Sequence, residues 1–448
     1  MMKYSKFLLI LTLIGFIFSC EPQIDNPVGT GNLGDLVPYD EKIVYVAIGN
    51  SLTAGFQNGA VYASGQEFSF PKLLAHQLGV EEFIQPQIPE NGIGDKMTFG
   101  GFDAMGRPII NRPGLTISPV ENANHPKPYH NLGVPGMLAY DLIDESDYLS
   151  RSLQRNNPFY ASILRSQNLG SNILKQAIAL NPNLITLWAG NNDVLGYATS
   201  GGTVSTTGMP NNPVPTPKEQ MQQIFGGALQ LLTGSLPKTK IIMFTIPDVV
   251  GTPYFNVVPW NALVLTKQED VDKLNQAYAA LGFKFQLGQN GFVAQSPSSP
   301  GGLRQLTKED KITLAIPQDS LVADWGSSKP IPNQYVLDVN EIQITKNAIA
   351  DYNQIIKSME SAFNGKVFVL DMNEIFAGII ANGYKVPGST TLTNSYISGE
   401  FFSLDGIHPS ARGYGIVTNE IIKFINNKFK ADIPYVLIQN LPVTIVNK

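Results

Sequence analysis

The sequence predicts an α/β domain: a parallel sheet covered by helices on both faces, three layers in all. Two observations carry this. Four near-continuous apolar runs, Ile43 to Ile48, Leu184 to Ala189, Ile241 to Ile246 and Val367 to Leu370, read as strands buried on both sides. The stretches between them carry helical spacing instead, as in Ile349, Tyr352, Ile356, Met359 and Phe363. Strands alternating with helices imply parallel pairing, because each crossover must return the chain to the same edge. The chain has 448 residues, 43% of them apolar and 15% charged, enough to bury a large core. The alternation runs without a break in kind, so we read one domain over residues 42–448.

In chain order, residues 1–19 read as an export signal. Lys3 and Lys6 precede an apolar run from Phe7 to Phe18 that is too short to span a membrane. The run ends in Ile17-Phe18-Ser19-Cys20, which resembles the bacterial lipoprotein cleavage box. Cys20 is the only cysteine in the chain. Lipidation there would remove a lone thiol from an oxidising compartment and anchor the protein in a membrane. Residues 20–41, rich in Gly, Pro, Asn and Asp, read as a flexible tether. The expected location is therefore outside the cytoplasm, on a membrane. The formal charge of −5 argues against a nucleic-acid partner.

Beyond the first strand, Thr216-Pro217-Lys218-Glu219 reads as a capping box with Pro at the first helical position. The 349–363 helix stops at Asn364-Gly365. Val417, Ile421, Phe424 and Ile425 mark a last helix starting near Pro409. Three long stretches break the alternation: 81–129, 196–215 and 285–340. Loops leaving the carboxyl ends of parallel strands surround the ligand crevice, so at least one of the three is expected to shape a cleft.

The first strand ends in Gly49-Asn50-Ser51-Leu52-Thr53-Ala54-Gly55, a serine in a glycine-flanked strand-to-helix turn. Serine needs a base to become a nucleophile. Of the four histidines, His408 lies in Phe401-Phe402-Ser403-Leu404-Asp405-Gly406-Ile407-His408-Pro409. Asp405, three residues earlier, can reach the second imidazole nitrogen and hold its tautomer. Donors for a tetrahedral oxyanion are also required. Asn131-Leu132-Gly133-Val134-Pro135-Gly136, after a plausible second strand, offers a backbone N–H. Gly190-Asn191-Asn192-Asp193 offers the Asn192 amide, and Ser51 its own N–H. Asn192 could instead cap the following helix, and Asp193 reads as a structural hydrogen-bonding partner. His125 and His130 show no metal-ligand spacing, and no metal or cofactor is expected.

These four blocks, in this order, resemble the signature blocks of the SGNH (GDSL-type) hydrolase superfamily. Ser51, Gly136, Asn192 and His408 match its four name-giving positions, and Asp405 matches its acid. Either Gly133 or Gly136 could be the oxyanion glycine; Gly136 is preferred. One departure stands out: Asn50 replaces the usual Asp, which puts the hydrogen bonding behind Ser51 in doubt. The resemblance implies a flavodoxin-like sheet and ester hydrolysis without metal or cofactor.

The sequence therefore points to a serine esterase or lipase acting on acyl esters. Two other readings stay open: removal of acetyl groups from a glycan on the same fold, and a surface binding protein on a retired hydrolase scaffold.

Overall fold

The computed structural model describes residues 31–444 except 39–40, 105, 204–213 and 389. The proposed signal, Cys20 and most of the tether lie outside the described residues.

Five strands form the central sheet: β1 (Tyr45–Gly49), β2 (Asn131–Gly133), β3 (Leu184–Trp188), β4 (Lys240–Phe244) and β5 (Val367–Leu370). All pair in parallel, in the order β5-β4-β3-β1-β2. Read from the other edge this is 2-1-3-4-5, the flavodoxin-like order, whose direction reverses between β1 and β3. The four strands legible from apolar runs are present. The fifth, β2, is only three residues long, and Asn131 lies within it rather than after it. So short an edge strand gives too brief a run to stand out from loop.

The helices that pack on the sheet or carry site residues are α1 (Ser51–Ala54), α2 (Phe70–Gln77), α3 (Tyr148–Gln154), α4 (Ile173–Ala179), α5 (Asn192–Thr199), α6 (Lys218–Ser235), α7 (Val339–Ala362), α8 (Met372–Asn382) and α9 (Ala411–Phe429). Side chains alternate across a strand, so β1 feeds both layers. Val46 and Ile48 join α4, α6 and α7 in one apolar cluster. Tyr45 and Ala47 join α2, α8 and α9 in the other. Trp188 and Phe244 are core residues, packed edge-on with centroids 5.1 Å apart. No helix among the described residues is long and apolar enough to cross a membrane.

Three local expectations are corrected. Pro217, not Thr216, is the N-cap of α6, and no side chain caps it. The Thr216 hydroxyl is drawn away to Asp193 Oδ1 at 2.6 Å, a buried acceptor that outbids a solvent-side cap. The insertion expected at 285–340 begins near Thr252 and runs to Asp338. It carries its own antiparallel pairs and two small apolar clusters. Its helix Gln268–Ala277 has ordinary amphipathic spacing, so composition does not set it apart from the sheet's own helices. The stretch 81–129 is not plain loop. Ile93–Gly94 and Thr116–Ile117 join Ala60–Val61 in a three-stranded sheet, and Thr98–Phe102 pairs with Pro108–Asn111 as a hairpin. The final segment after Tyr435 does not join the sheet among the described residues; it turns once at Ile438–Asn440.

Candidate active site

Ser51 opens α1 immediately after β1. As the first helical residue its N–H has no intrahelical partner. Asn50 caps the turn, its Oδ1 accepting from Leu52 N at 3.0 Å. Its amide Nδ2 donates to Asn191 Oδ1 at 2.9 Å, just beyond β3. The amide at position 50 therefore has a partner on both of its ends, which answers the doubt raised by the missing Asp.

His408 comes from a closed loop at the far end of the chain. Ser403 N donates to His408 O at 2.8 Å, and Phe402 bridges Pro409. His408 Nε2 lies 2.8 Å from Ser51 Oγ, and its Nδ1 lies 3.1 Å from Asp405 Oδ2. Asp405 Oδ1 accepts from the N–H groups of His408 and Ile407, at 2.8 and 2.9 Å. All three side chains belong to buried residues. Burial pushes the Asp405 carboxyl up, but the adjacent His408 and these backbone donors outweigh it and hold it below its ordinary range. An ionised carboxylate against Nδ1 favours a proton there, which leaves Nε2 free to accept one from serine.

The oxyanion candidates lie on the neighbouring strand ends. Gly133 is committed elsewhere. Its N–H donates to Asn131 Oδ1 at 3.0 Å, and a Cβ there would lie 2.3 Å from Ala54 N, so it serves close packing of β2 on α1. Gly136 is exposed, at φ +79°, and among the described residues its N–H has no partner. Asn192 is half-buried on the first turn of α5, and its Nδ2 donates to Met137 O at 2.8 Å. The amide of Asn192 and the loop of Gly136 are thus directly joined. Asp193 takes no part in the Ser51–His408–Asp405 chain; it accepts from Ala139 N at 2.8 Å.

Several supporting residues escaped the sequence reading. Asn58 accepts from Leu404 N at 2.9 Å, and its own N–H donates to Ser403 Oγ at 2.9 Å. Gly59 N donates to Asp405 Oδ2 at 3.1 Å. The dipeptide Asn58-Gly59 is a turn signal that could have flagged this loop. Phe56 packs its ring 4.7 Å from that of His408. Tyr254, in the large insertion, donates its N–H to Gly406 O at 3.0 Å. No sequence signal connects either to the site. His130, by contrast, is structural, its Nδ1 accepting from Ile84 N at 3.1 Å. Clefts of 340 Å³ beside Tyr384 and Tyr435, and of 350 Å³ beside Asp248 and Lys346, are bordered by none of the candidate residues.

Comparison with known proteins gives the following. A search of curated proteins found no match. Among solved structures, a Clostridium thermocellum family 3 carbohydrate esterase is similar at a TM-score of 0.31 and 12% identity, covering 87% of this chain and 100% of that one. So distant a likeness says nothing of substrate. Among protein families, residues 45–421 match GDSL-like Lipase/Acylhydrolase, a span that takes in all four blocks and the whole sheet. The chain accordingly belongs to the GDSL-like lipase/acylhydrolase family and is a hydrolase acting on esters.

Proposed function

We propose that the protein cleaves carboxylic esters of apolar acyl chains, with Ser51 as nucleophile, His408 as general base and acid, and Asp405 as its orienting carboxylate. The observation that carries this is the unbroken contact from Asp405 Oδ2 through the imidazole to Ser51 Oγ, 3.1 and 2.8 Å. His408 Nε2 takes the serine proton as Oγ attacks the ester carbonyl. The carbonyl oxygen becomes an oxyanion, held by the N–H groups of Ser51 and Gly136 and the Asn192 amide. His408 then returns the proton to the departing alkoxide, leaving Ser51 acylated. Water, deprotonated by the same imidazole, attacks the acyl carbon; the bond to Ser51 Oγ breaks, the imidazolium returns its proton to that oxygen, and the carboxylic acid leaves.

The acyl preference rests on surface chemistry around this edge. Phe102, Ile109, Leu115 and Ile117 are exposed on the segment whose inner side packs on Leu404, next to Asp405. Ile143, Leu149 and Leu153, which follow the Gly136 loop in the chain, are also exposed. Exposed apolar residues on segments near the site suit an apolar ligand better than a sugar.

The test is a panel of aryl esters graded by acyl length. Turnover should persist or rise from acetate to longer chains. A steep fall after acetate would favour glycan deacetylation instead. Ser51→Ala and His408→Ala should each lower kcat by roughly 10³-fold or more. A fluorophosphonate should label Ser51; no turnover of any ester together with no labelling would return the protein to a binding role, and wild-type turnover in both variants would place the hydrolysis at other residues. Membrane attachment through Cys20 is part of the same proposal, and Cys20→Ala should release the protein from membranes in fractionated cells.

A further inference from the structure

The backbone that presents Gly136 is held from two sides. On the strand side, Val134 N donates to Gly49 O at 2.8 Å, and Asn157 Nδ2 donates to Pro135 O at 2.8 Å. On the other side, Ala139 N donates to Asp193 Oδ2 at 2.8 Å. Asp193 is completely buried, and its second oxygen accepts from Thr216 Oγ1 at 2.6 Å. Thr216 is itself fixed, its carbonyl accepting from the Tyr352 hydroxyl. Asn192, the preceding residue, grips the same loop at Met137 O. Two consecutive residues at the start of α5 therefore hold the loop at Met137 and Ala139, one and three residues past Gly136.

A buried carboxylate is costly where a neutral group would fill the space. The titratable groups facing Asp193 are Asp141 and Tyr352, and neither supplies a positive charge; burial pushes its carboxyl up to about 7. Ala139 N–H nevertheless needs an acceptor at this point.

We propose that Asp193 is a positioning residue of the oxyanion site, holding the backbone at Ala139 so that the Gly136 N–H and the Asn192 amide meet one oxygen. This rests on the hydrolytic reading above. The physical need is plain. Oxyanion donors act only within a few tenths of an ångström of their target, and Gly136, at φ +79° and exposed, has no side chain to fix the direction of its own N–H, so its orientation depends on how the buried residues after it are held.

The experiment uses three variants of the full chain. Asp193→Ala removes the acceptor. Asp193→Asn keeps a carbonyl oxygen for Ala139. Ala139→Pro removes the donor from the opposite side. The backbone admits proline there, because Ala139 is the first residue of a 3₁₀ turn and Leu138 before it is extended, at φ −90° and ψ 164°; the ring then pushes against Asp193, which the double variant relieves. For each, kcat and KM on an aryl ester are measured with the inhibition constant of an aryl boronic acid, whose boron binds Ser51 Oγ as a tetrahedral adduct.

Asp193→Ala and Ala139→Pro are each expected to lower kcat by roughly 10- to 100-fold, to move KM by less than about 3-fold, and to weaken the boronate by the same factor as kcat. Asp193→Asn is expected to recover most of the loss. The double variant Ala139→Pro/Asp193→Ala should be no worse than either single one, since both break one contact. The proposal is overturned if folded Asp193→Ala keeps its kcat and boronate affinity. It is equally overturned if Asp193→Ala fails to fold while folded Ala139→Pro works at the wild-type rate, or if the two effects add. Full turnover in Ser51→Ala would overturn the hydrolytic reading itself. Activity lost in Ser51→Ala but kept in the Asp193 and Ala139 variants would overturn the positioning role alone.

Discussion

At the scale of single residues, the decisive placements are pairs that no local pattern couples. Asn50 is one. Its Nδ2 donates to Asn191 Oδ1 across 141 positions of sequence, while its Oδ1 caps α1. An Asp at position 50 can keep the cap, and the Asn191 amide can turn over to donate to it. Asn50→Asp should therefore keep activity within about 3-fold, whereas Asn50→Ala loses both bonds and should cost about 1–3 kcal/mol of stability. Chemical denaturation and ester turnover measured side by side check this; an Asn50→Asp variant as impaired as Asn50→Ala would contradict it. Asp405 and His408 are the opposite case. They lie three residues apart in one turn, so local spacing alone brought them into reach, whereas Ser51 and His408, in hydrogen-bond contact, are 357 positions apart.

At the scale of elements, α3 is a short helix made important by what it buries. Arg151 is 1% exposed, with Nε 2.9 Å from Asp144 Oδ2 and Nη1 3.8 Å from Asp141 Oδ1. Arg155 reaches Asp141 Oδ2 at 2.8 Å, as does the Tyr160 hydroxyl. Burial raises the Asp141 carboxyl, against the pull of both arginines, and Asp141 also accepts from Leu138 N at 2.7 Å. The cluster therefore ties α3 to the loop that follows Gly136. Arg151→Ala leaves Asp144 and Asp141 short of a cation inside the protein. It should destabilise by roughly 3–5 kcal/mol, far more than loss of a solvent-exposed ion pair such as Lys273–Glu269. Equal denaturation midpoints for Arg151→Ala and Lys273→Ala would show that the cluster carries no such weight.

At the scale of the whole molecule, two buried carboxylates tilt stability with pH in opposite directions. Asp405 is held below its ordinary range, so its contribution is present above about pH 4 and is lost in acid, below the folded value. Asp193 is raised to about 7, by burial first and with Asp141 adding to it. The folded state then binds the Asp193 proton more tightly than the unfolded chain does. That contribution is complete below about pH 4 and disappears as pH rises through about 7. Asp193→Asn removes this second term alone. The stability of the variant relative to the parent should rise between pH 5 and pH 8, and a difference that stays flat over that range would show that Asp193 does not titrate there.

The sequence by itself determined the strand-helix alternation, four of the five core strands, the flavodoxin-like sheet through its family resemblance, and the identity of the residues in each block. It could do so because burial imposes period-2 or continuous apolar runs, and because turn chemistry demands particular residues. The tertiary structure alone decided which strand lies beside which, and with it the rest. Placing β1 between β2 and β3 is what sets Ser51, Gly136 and Asn192 on adjacent strand ends. It commits the Gly133 N–H to Asn131 and packs Gly133 closely on α1, while among the described residues the Gly136 N–H has no partner. It also turned Thr216 from an expected helix cap into a partner of Asp193, because a buried acceptor without solvent competes better than a helix end exposed to water. Contacts of this kind link residues tens to hundreds of positions apart, and no local pattern in the chain encodes them.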